Sequence, residues 1–95
     1  MQVIFPAAGN KFRGGRGELT TDHPSSSYGI PVVLIDGVPH GPGDLAGRSF
    51  TPMPRLKDGA PSLLGMGREE AISWVEETDL SLIRRAQDAG FALSL

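Results

Sequence analysis

The sequence contains no cysteine, and this absence removes several kinds of chemistry at once. Disulfide bonds, thiolate nucleophiles and cysteine-based zinc or iron–sulfur sites are all excluded. Aromatic residues are also scarce, with one Trp, one Tyr and four Phe in 95 residues. A chain this short, with few large apolar side chains, has little material for a deep pocket that excludes water. Size and composition therefore favour a binding module without a cofactor, or a subunit that completes its core against a partner, over an enzyme.

Long apolar runs are missing as well. No stretch approaches the ~20 apolar residues that cross a bilayer, and the first residues, MQVIFPAAGNKFRGG, do not have the pattern of a signal peptide. These features predict a soluble cytoplasmic protein without a membrane partner.

The net charge of −2 does not indicate a strongly basic DNA-binding protein. The charge is unevenly placed, because residues 1–17 carry three cations and no acid, whereas residues 68–95 carry three Arg and six Asp or Glu, a net charge of −3.

Proline and glycine divide the chain near Met66. All eight Pro and twelve of the thirteen Gly precede residue 68, and both residue types disfavour helix. The first part is therefore predicted to contain strands and loops, and residues 68–89 a helical hairpin or one kinked helix. The sequence predicts a single α+β domain over residues 1–95, in which a small, mainly antiparallel sheet packs against the helical segment.

The strand predictions rest on short apolar runs between turn residues. PVVLI at 31–35, which is apolar on both faces, predicts the central strand. DG at 36–37 is typical of a two-residue hairpin turn, so VPH is expected to return as an edge strand. In GPGD, Pro42 and Gly43 are expected at the two centres of a type II turn. Further short strands are predicted for QVIF at 2–5, for residues 18–21 within GELTT, for LAGRSF and for the final FALSL. Residues 51–66 are predicted to be an irregular connector.

The helical segment has its own start and stop signals. Thr78 is a predicted N-cap for a second helix, and Gly90 is expected to end it in the left-handed conformation. The side chains expected to pack against the sheet are Trp74, Leu82, Ile83 and Phe91. On this interpretation, Trp74→Ala costs about 3–5 kcal/mol.

Asp36, His40 and Asp44 recur at intervals of four residues. On a helix this spacing brings side chains together for metal binding, but the glycines and prolines between them forbid a helix. Asp36 and Asp44 are interpreted as turn residues. His40 and Asp44 are predicted to point outward, where they can contact a partner.

The loop DHPSSSY at 22–28 holds the residue types of a catalytic triad. A triad depends on geometry, however, and this loop lacks a strand–turn–helix elbow to present a serine. The preferred interpretation is a polar loop. A combined site of Asp22, His23, His40 and Asp44 has the correct ligand types for a metal and stays as an alternative.

The segment KFRGGRG at 11–17 resembles a short arginine–glycine segment of the kind that binds RNA. Arg pairs with phosphate or stacks on bases, and Gly keeps the backbone adaptable. This segment lies in a long loop, residues 6–29, which is either interrupted by a strand at GELTT or mobile until a partner orders it. The alternative interpretation of the segment is a basic loop without a nucleic-acid ligand.

Three functions follow from these patterns. The leading hypothesis is a non-enzymatic protein-binding module, an inhibitor, adaptor or accessory subunit, whose edge strand extends a partner's sheet. The second is nucleic-acid binding through the basic loop, and the third is a small hydrolase or metal-binding protein that uses His23 and His40. A second copy of the chain is a further candidate partner. The candidate binding residues are Lys11, Arg13, Arg16, His23, Tyr28, His40 and Asp44.

The runs DGVPHGPGDL, AISWV and LIRRAQDAGFAL resemble small β-hairpin proteins with a Pro-Gly-Asp turn and a terminal helix, some of them from phages. This resemblance adds a phage or another mobile element as an expected source. It assigns no residue to a site.

Overall fold

The described residues, 1–6, 11–12, 14–46 and 48–94 of a computed structural model, form six strands and two helices. The strands are β1 (Gln2–Ile4), β2 (Arg16–Thr20), β3 (Val32–Ile35), β4 (Val38–His40), β5 (Ser49–Met53) and β6 (Ala92–Leu93). The helices are α1 (Arg68–Ser73) and α2 (Glu77–Ala89). The predicted α+β class is therefore confirmed.

The strands form one sheet in the order β4-β3-β2-β1-β5-β6. Each neighbouring pair is antiparallel except β5 and β6, which are parallel because α1 and α2 cross over between them. β3 lies inside the sheet between β2 and β4, and β4 is an edge strand, as the proline in VPH predicts. The predicted strand near GELTT is β2, which begins two residues earlier than expected and lies within the predicted long loop.

The hairpin turn between β3 and β4 has the predicted conformation. Asp36 and Gly37 have φ angles of 51° and 78°, which is the pattern of a type I′ turn. The expectation for Pro42 and Gly43 is wrong, because Gly43 does not have the positive φ that a type II turn requires at its second centre. The chain continues through a series of turns instead, in which Leu45 becomes buried.

The prediction of an irregular connector over residues 51–66 is also wrong at its start. β5 begins at Ser49 and runs to Met53, later than the LAGRSF strand that the sequence favoured. Phe50 and Pro52 are buried while their neighbours are exposed, so the alternation of a strand continues through a proline. Antiparallel pairing with β1 fixes this register.

The core lies between one face of the sheet and α2. Its strand residues include Val3, Leu19, Val33 and Phe50, and its helical side includes Ala86 and Phe91. The ring of Phe50 contacts that of Phe5 at a centroid distance of 5.3 Å and that of Phe91 at 5.9 Å. At Gly17 a Cβ would lie 3.0 Å from both the Leu34 carbonyl oxygen and Val33 Cγ1, so β2 packs closely against β3 at this residue.

The helical segment differs from its prediction in two places, at Thr78 and at Trp74. α2 begins at Glu77, so Thr78 lies in its first turn and is not its N-cap. Gly90 ends α2 with a φ of 108°, as predicted, and the N–H groups of Gly90 and Phe91 donate to the carbonyls of Gln87 and Ala86 in a Schellman motif. Trp74 ends α1 half-buried and lies outside the main core cluster, because the chain turns there to pair with residues 55–57. None of the described helices is long and apolar enough to cross a bilayer.

Candidate functional site

Of the three predicted basic residues, the structure describes Lys11 and Arg16. Lys11 is exposed, and its Nζ lies 5.6 Å from the centroid of the Phe12 ring. Arg13 lies outside the described residues. Arg16 is exposed on β2, opposite Ile4 of β1, so it belongs to the outer face of the sheet. Lys11 and Arg16 therefore belong to different parts of the surface.

His23 has a local structural role. Its Nδ1 accepts a hydrogen bond of 3.0 Å from the backbone N–H of Ser25, and the N–H of Asp22 donates to Thr20 Oγ1 at 3.0 Å. These bonds belong to a turn, and they do not place a serine hydroxyl on the imidazole as a hydrolase would require. The arrangement matches the polar-loop interpretation.

His40 and Asp44 approach each other, although the sequence predicts no helix that would bring them together. His40 Nδ1 lies 3.9 Å from Asp44 Oδ2, while Asp36 is held in the hairpin turn. Among the described residues, no group of three His, Cys, Asp or Glu side chains is arranged to hold a metal ion. Asp22, His23, His40 and Asp44 thus do not combine into the metal site that the sequence left as an alternative.

Tyr28 lies at the tip of a turn and is fully exposed. Its φ is 55° and that of Gly29 is 73°, and Ile30 N–H donates to the Ser27 carbonyl at 3.0 Å. A positive φ is uncommon for a tyrosine and costs conformational energy. The turn presents Tyr28 and the half-exposed Ile30 to solvent, next to Arg85 on α2.

The surface carries an apolar groove that the sequence did not reveal. It has a volume of about 660 Å³ and lies between the outer side of β5 and α1, and we call it the β5–α1 groove. Thr51 and Met53 project into it, because Phe50 and Pro52 carry the buried side of the strand. Its apolar lining residues include Ile4, Met53, Leu56, Leu63, Met66 and Ile72.

Backbone hydrogen bonds hold the two walls of the β5–α1 groove together. The N–H of Lys57 donates to the Trp74 carbonyl at 2.8 Å, and the N–H of Glu76 donates to the Arg55 carbonyl at 3.0 Å. Leu56 and Val75 form an isolated antiparallel bridge between these bonds. The groove is therefore preformed, since its walls are joined by strand-like pairing.

An ion pair next to this bridge adds a second connection. Asp79, which is 3% exposed, accepts hydrogen bonds from the backbone N–H of Arg55 at 2.7 Å and from its Nη2 at 3.1 Å. Burial raises the pKa of Asp79, but the hydrogen bonds and charge of Arg55 outweigh it and hold the pKa below its ordinary value. The same contacts raise the pKa of Arg55.

Polar groups are few in the β5–α1 groove. Of the described residues that line it, Thr51 and Arg68 alone have polar side chains. Arg68 is exposed and has no carboxylate within 4 Å among the described residues. The groove thus combines an apolar surface with one cation that has no described carboxylate within 4 Å.

Comparison with known proteins identifies no family. No family model matches the chain, and no curated protein or solved structure matches it significantly. The function must therefore be argued from the chemistry of the surface.

The sequence contained a weak signal for the β5–α1 groove. Met53, Leu56, Leu63 and Met66 are apolar residues in a segment rich in proline and glycine. Their spacing matches neither a strand nor a helix, so no face could be assigned to them. Their shared surface exists because residues 55–57 pair with residues 74–76, and this pairing is a tertiary contact.

Proposed function

We propose that this protein is a non-enzymatic protein-binding module and that the β5–α1 groove is its binding surface. The observation that carries the proposal is a preformed groove of about 660 Å³ with an almost wholly apolar lining. Exposed apolar patches of this kind mark interaction sites. In this role the protein acts as an inhibitor, adaptor or accessory subunit.

The lining favours a segment of another protein over a small molecule. Sites for small molecules combine an apolar cavity with several convergent polar groups that fix orientation. The β5–α1 groove offers two polar side chains, and Met53 and Met66 give it an adaptable surface. Leu64, which is 94% exposed, extends the apolar surface in the same segment of chain.

Prolines on the open sides of two strands argue for binding through side chains. Pro39 interrupts the edge strand β4, and Pro52 lies in the part of β5 that β6 does not cover. Proline is tolerated in a strand where its missing N–H faces away from the neighbouring strand. These two open sides therefore lack a donor, and the other edge strand, β6, is two residues long. The sequence-based expectation that an edge strand extends a partner's sheet becomes the weaker form of this proposal.

Arg68 defines the charge of the partner. It lines the groove with no described carboxylate within 4 Å, so a carboxylate on the bound segment would pair with it. The expected ligand is a short apolar segment of another protein that carries one Asp or Glu.

Selection from a random peptide library tests this proposal. The wild type is expected to select apolar peptides that contain an acidic residue. Arg68→Glu is expected to select peptides with Lys or Arg instead and to bind the wild-type peptides about tenfold more weakly, a change of about 1.4 kcal/mol. Fluorescence anisotropy measures these affinities, and thermal unfolding confirms that each variant is folded.

Arg84→Glu is the matched control, because Arg84 is exposed on the outer side of α2 and does not line the groove. It carries the same charge change and is expected to select the same peptides as the wild type. If Arg68→Glu and Arg84→Glu select the same peptides, or if small apolar compounds alone bind the groove, the proposal fails.

A further inference from the structure

A second surface gathers two cations and a histidine around one aromatic ring. The Nζ of Lys11 and the Cζ of Arg48 lie 5.6 Å and 5.8 Å from the centroid of the Phe12 ring, and the His40 ring lies at 5.6 Å. Phe12 itself packs on Phe5 of the core at 5.3 Å, so the ring is anchored. We call Lys11, Arg48 and His40 the Phe12 cluster.

Arg48 differs from Arg55 in how its donors are used. Arg55 donates to Asp79 and lies 3.5 Å from Glu76, so its guanidinium has two carboxylate partners. Arg48 donates one long hydrogen bond of 3.4 Å, from Nη1 to the Ala46 carbonyl, and its buried Nε has no hydrogen-bond partner among the described residues. A guanidinium has five N–H donors, and buried donors are nearly always paired. Arg48 is therefore a cation in a fixed place with unused donors.

One member of the Phe12 cluster has a carboxylate partner, because Asp44 Oδ2 lies 3.9 Å from His40 Nδ1. Neither Lys11 nor Arg48 has a described carboxylate within 4 Å. The ring of Phe12 orders both cations, because a cation is attracted to an aromatic face.

We propose that Lys11, Arg48 and His40 form a binding site for a phosphate group. The three side chains come from separate segments and lie 5.6–5.8 Å from one ring centroid, so a ligand beside the ring is offered several donors. A tetrahedral phosphate has more acceptor oxygens for such donors than a planar carboxylate. The phosphate belongs either to a nucleic-acid strand or to a free phosphate ester. Neither Arg48 nor the ring contacts were visible in the basic segment that the sequence pointed to.

Two probes separate these sources. Binding of a fluorescent single-stranded oligonucleotide is measured by anisotropy at several salt concentrations, and inorganic phosphate is titrated with NMR detection of backbone amides. For two phosphate contacts on a single strand, the slope of log K against log salt is expected near −1.4, from about −0.7 per contact. Arg48→Gln and Lys11→Gln are each expected to reduce this slope by about 0.7.

Arg84→Gln is the control, since it removes one exposed cation outside the cluster. Amide shifts at Lys11, Phe12 and Arg48 with inorganic phosphate alone would assign the site to free phosphate esters, and salt-dependent oligonucleotide binding would assign it to a strand. Sodium acetate and polyglutamate are the carboxylate probes. The proposal is overturned if these bind equally well, if neither phosphate probe binds, or if Arg84→Gln has the same effect as Arg48→Gln in folded protein. Lys11→Gln changes an exposed residue, so it keeps the test valid if Arg48→Gln unfolds.

Discussion

Asp79 shows how a single carboxylate fixes two segments of the chain. Its Oδ2 accepts the backbone N–H of Arg55 at 2.7 Å, so the start of α2 is tied to the residues that follow β5. The guanidinium of Arg55 adds a contact that is mostly exposed to solvent and therefore screened. The backbone bond, which is shielded, contributes the larger share of the stabilisation.

Asp79→Ala is expected to lower the free energy of unfolding by about 2 kcal/mol at pH 7, because the backbone N–H of Arg55 loses its acceptor. Urea unfolding measures this change. Glu77→Ala is the control in the same turn of the helix, since Glu77 is exposed and lies 4.0 Å from Lys57. It is expected to have no measurable effect, and an equal loss in both variants would contradict this role for Asp79.

The stabilisation by Asp79 should also depend on pH. The pKa of Asp79 in the folded protein lies below its ordinary value of 3.8, so the unfolded chain takes up a proton first as the pH falls. The stabilisation is therefore fully present above the unfolded pKa and is lost as the pH falls through the folded one. The difference in unfolding free energy between wild type and Asp79→Asn should shrink from about pH 5 downwards. Urea unfolding at a series of pH values measures it, and a constant difference would contradict the lowered pKa.

The close packing around Gly17 allows a prediction about a steric effect. A Cβ on this residue would lie 3.0 Å from a backbone oxygen of β3, which cannot move without disturbing the sheet. Gly17→Ala is expected to destabilise the protein by about 1–3 kcal/mol, measured by urea unfolding. Gly43→Ala is the matched control, because its Cβ meets nothing within 4 Å, and its effect should stay within about 0.5 kcal/mol. Equal effects would show that β2 and β3 do not pack this closely.

At the scale of elements, α2 depends on how it ends. Gly90 has a φ of 108°, which a residue with a Cβ adopts only with strain, while the space around it is open apart from Pro42 at 3.6 Å. Gly90→Ala is therefore expected to cost about 1–2 kcal/mol through backbone strain alone. Thermal unfolding measures this cost. A neutral effect would mean that the helix can end in another conformation.

The elements that the sequence predicted well are those with local signals. Asp36, Gly37 and Gly90 have conformational preferences that determine a turn and a helix end. PVVLI is a continuous apolar run, which predicts a strand whichever strands it pairs with. β5 was not predictable in the same way, because Pro52 is compatible with a strand only if its outer side is unpaired, and that is set by distant residues. The β5–α1 groove and the place of Arg48 beside Phe12 are likewise products of tertiary contacts.

At the scale of the whole molecule, Phe50 and Trp74 test where the core lies. Phe50 is fully buried between the rings of Phe5 and Phe91, whereas Trp74 is half-buried outside the cluster. Phe50→Ala is expected to cost about 3–5 kcal/mol, a large part of the stability of a small domain. Trp74→Ala should cost clearly less than Phe50→Ala, in contrast to the expectation from the sequence. Urea unfolding compares the two variants. A larger loss of unfolding free energy for Trp74→Ala would show that the core lies closer to α1.

Pro39 and Pro52, on the open sides of β4 and β5, have a consequence for concentrated solutions. An amyloid fibre grows when each new molecule pairs with a strand edge whose backbone N–H groups are all able to form hydrogen bonds. Pro39 and Pro52 each interrupt that row on an open side of the folded sheet. At high concentration the folded protein should then form reversible clusters that disperse on dilution. These clusters should not increase the fluorescence of amyloid-binding dyes.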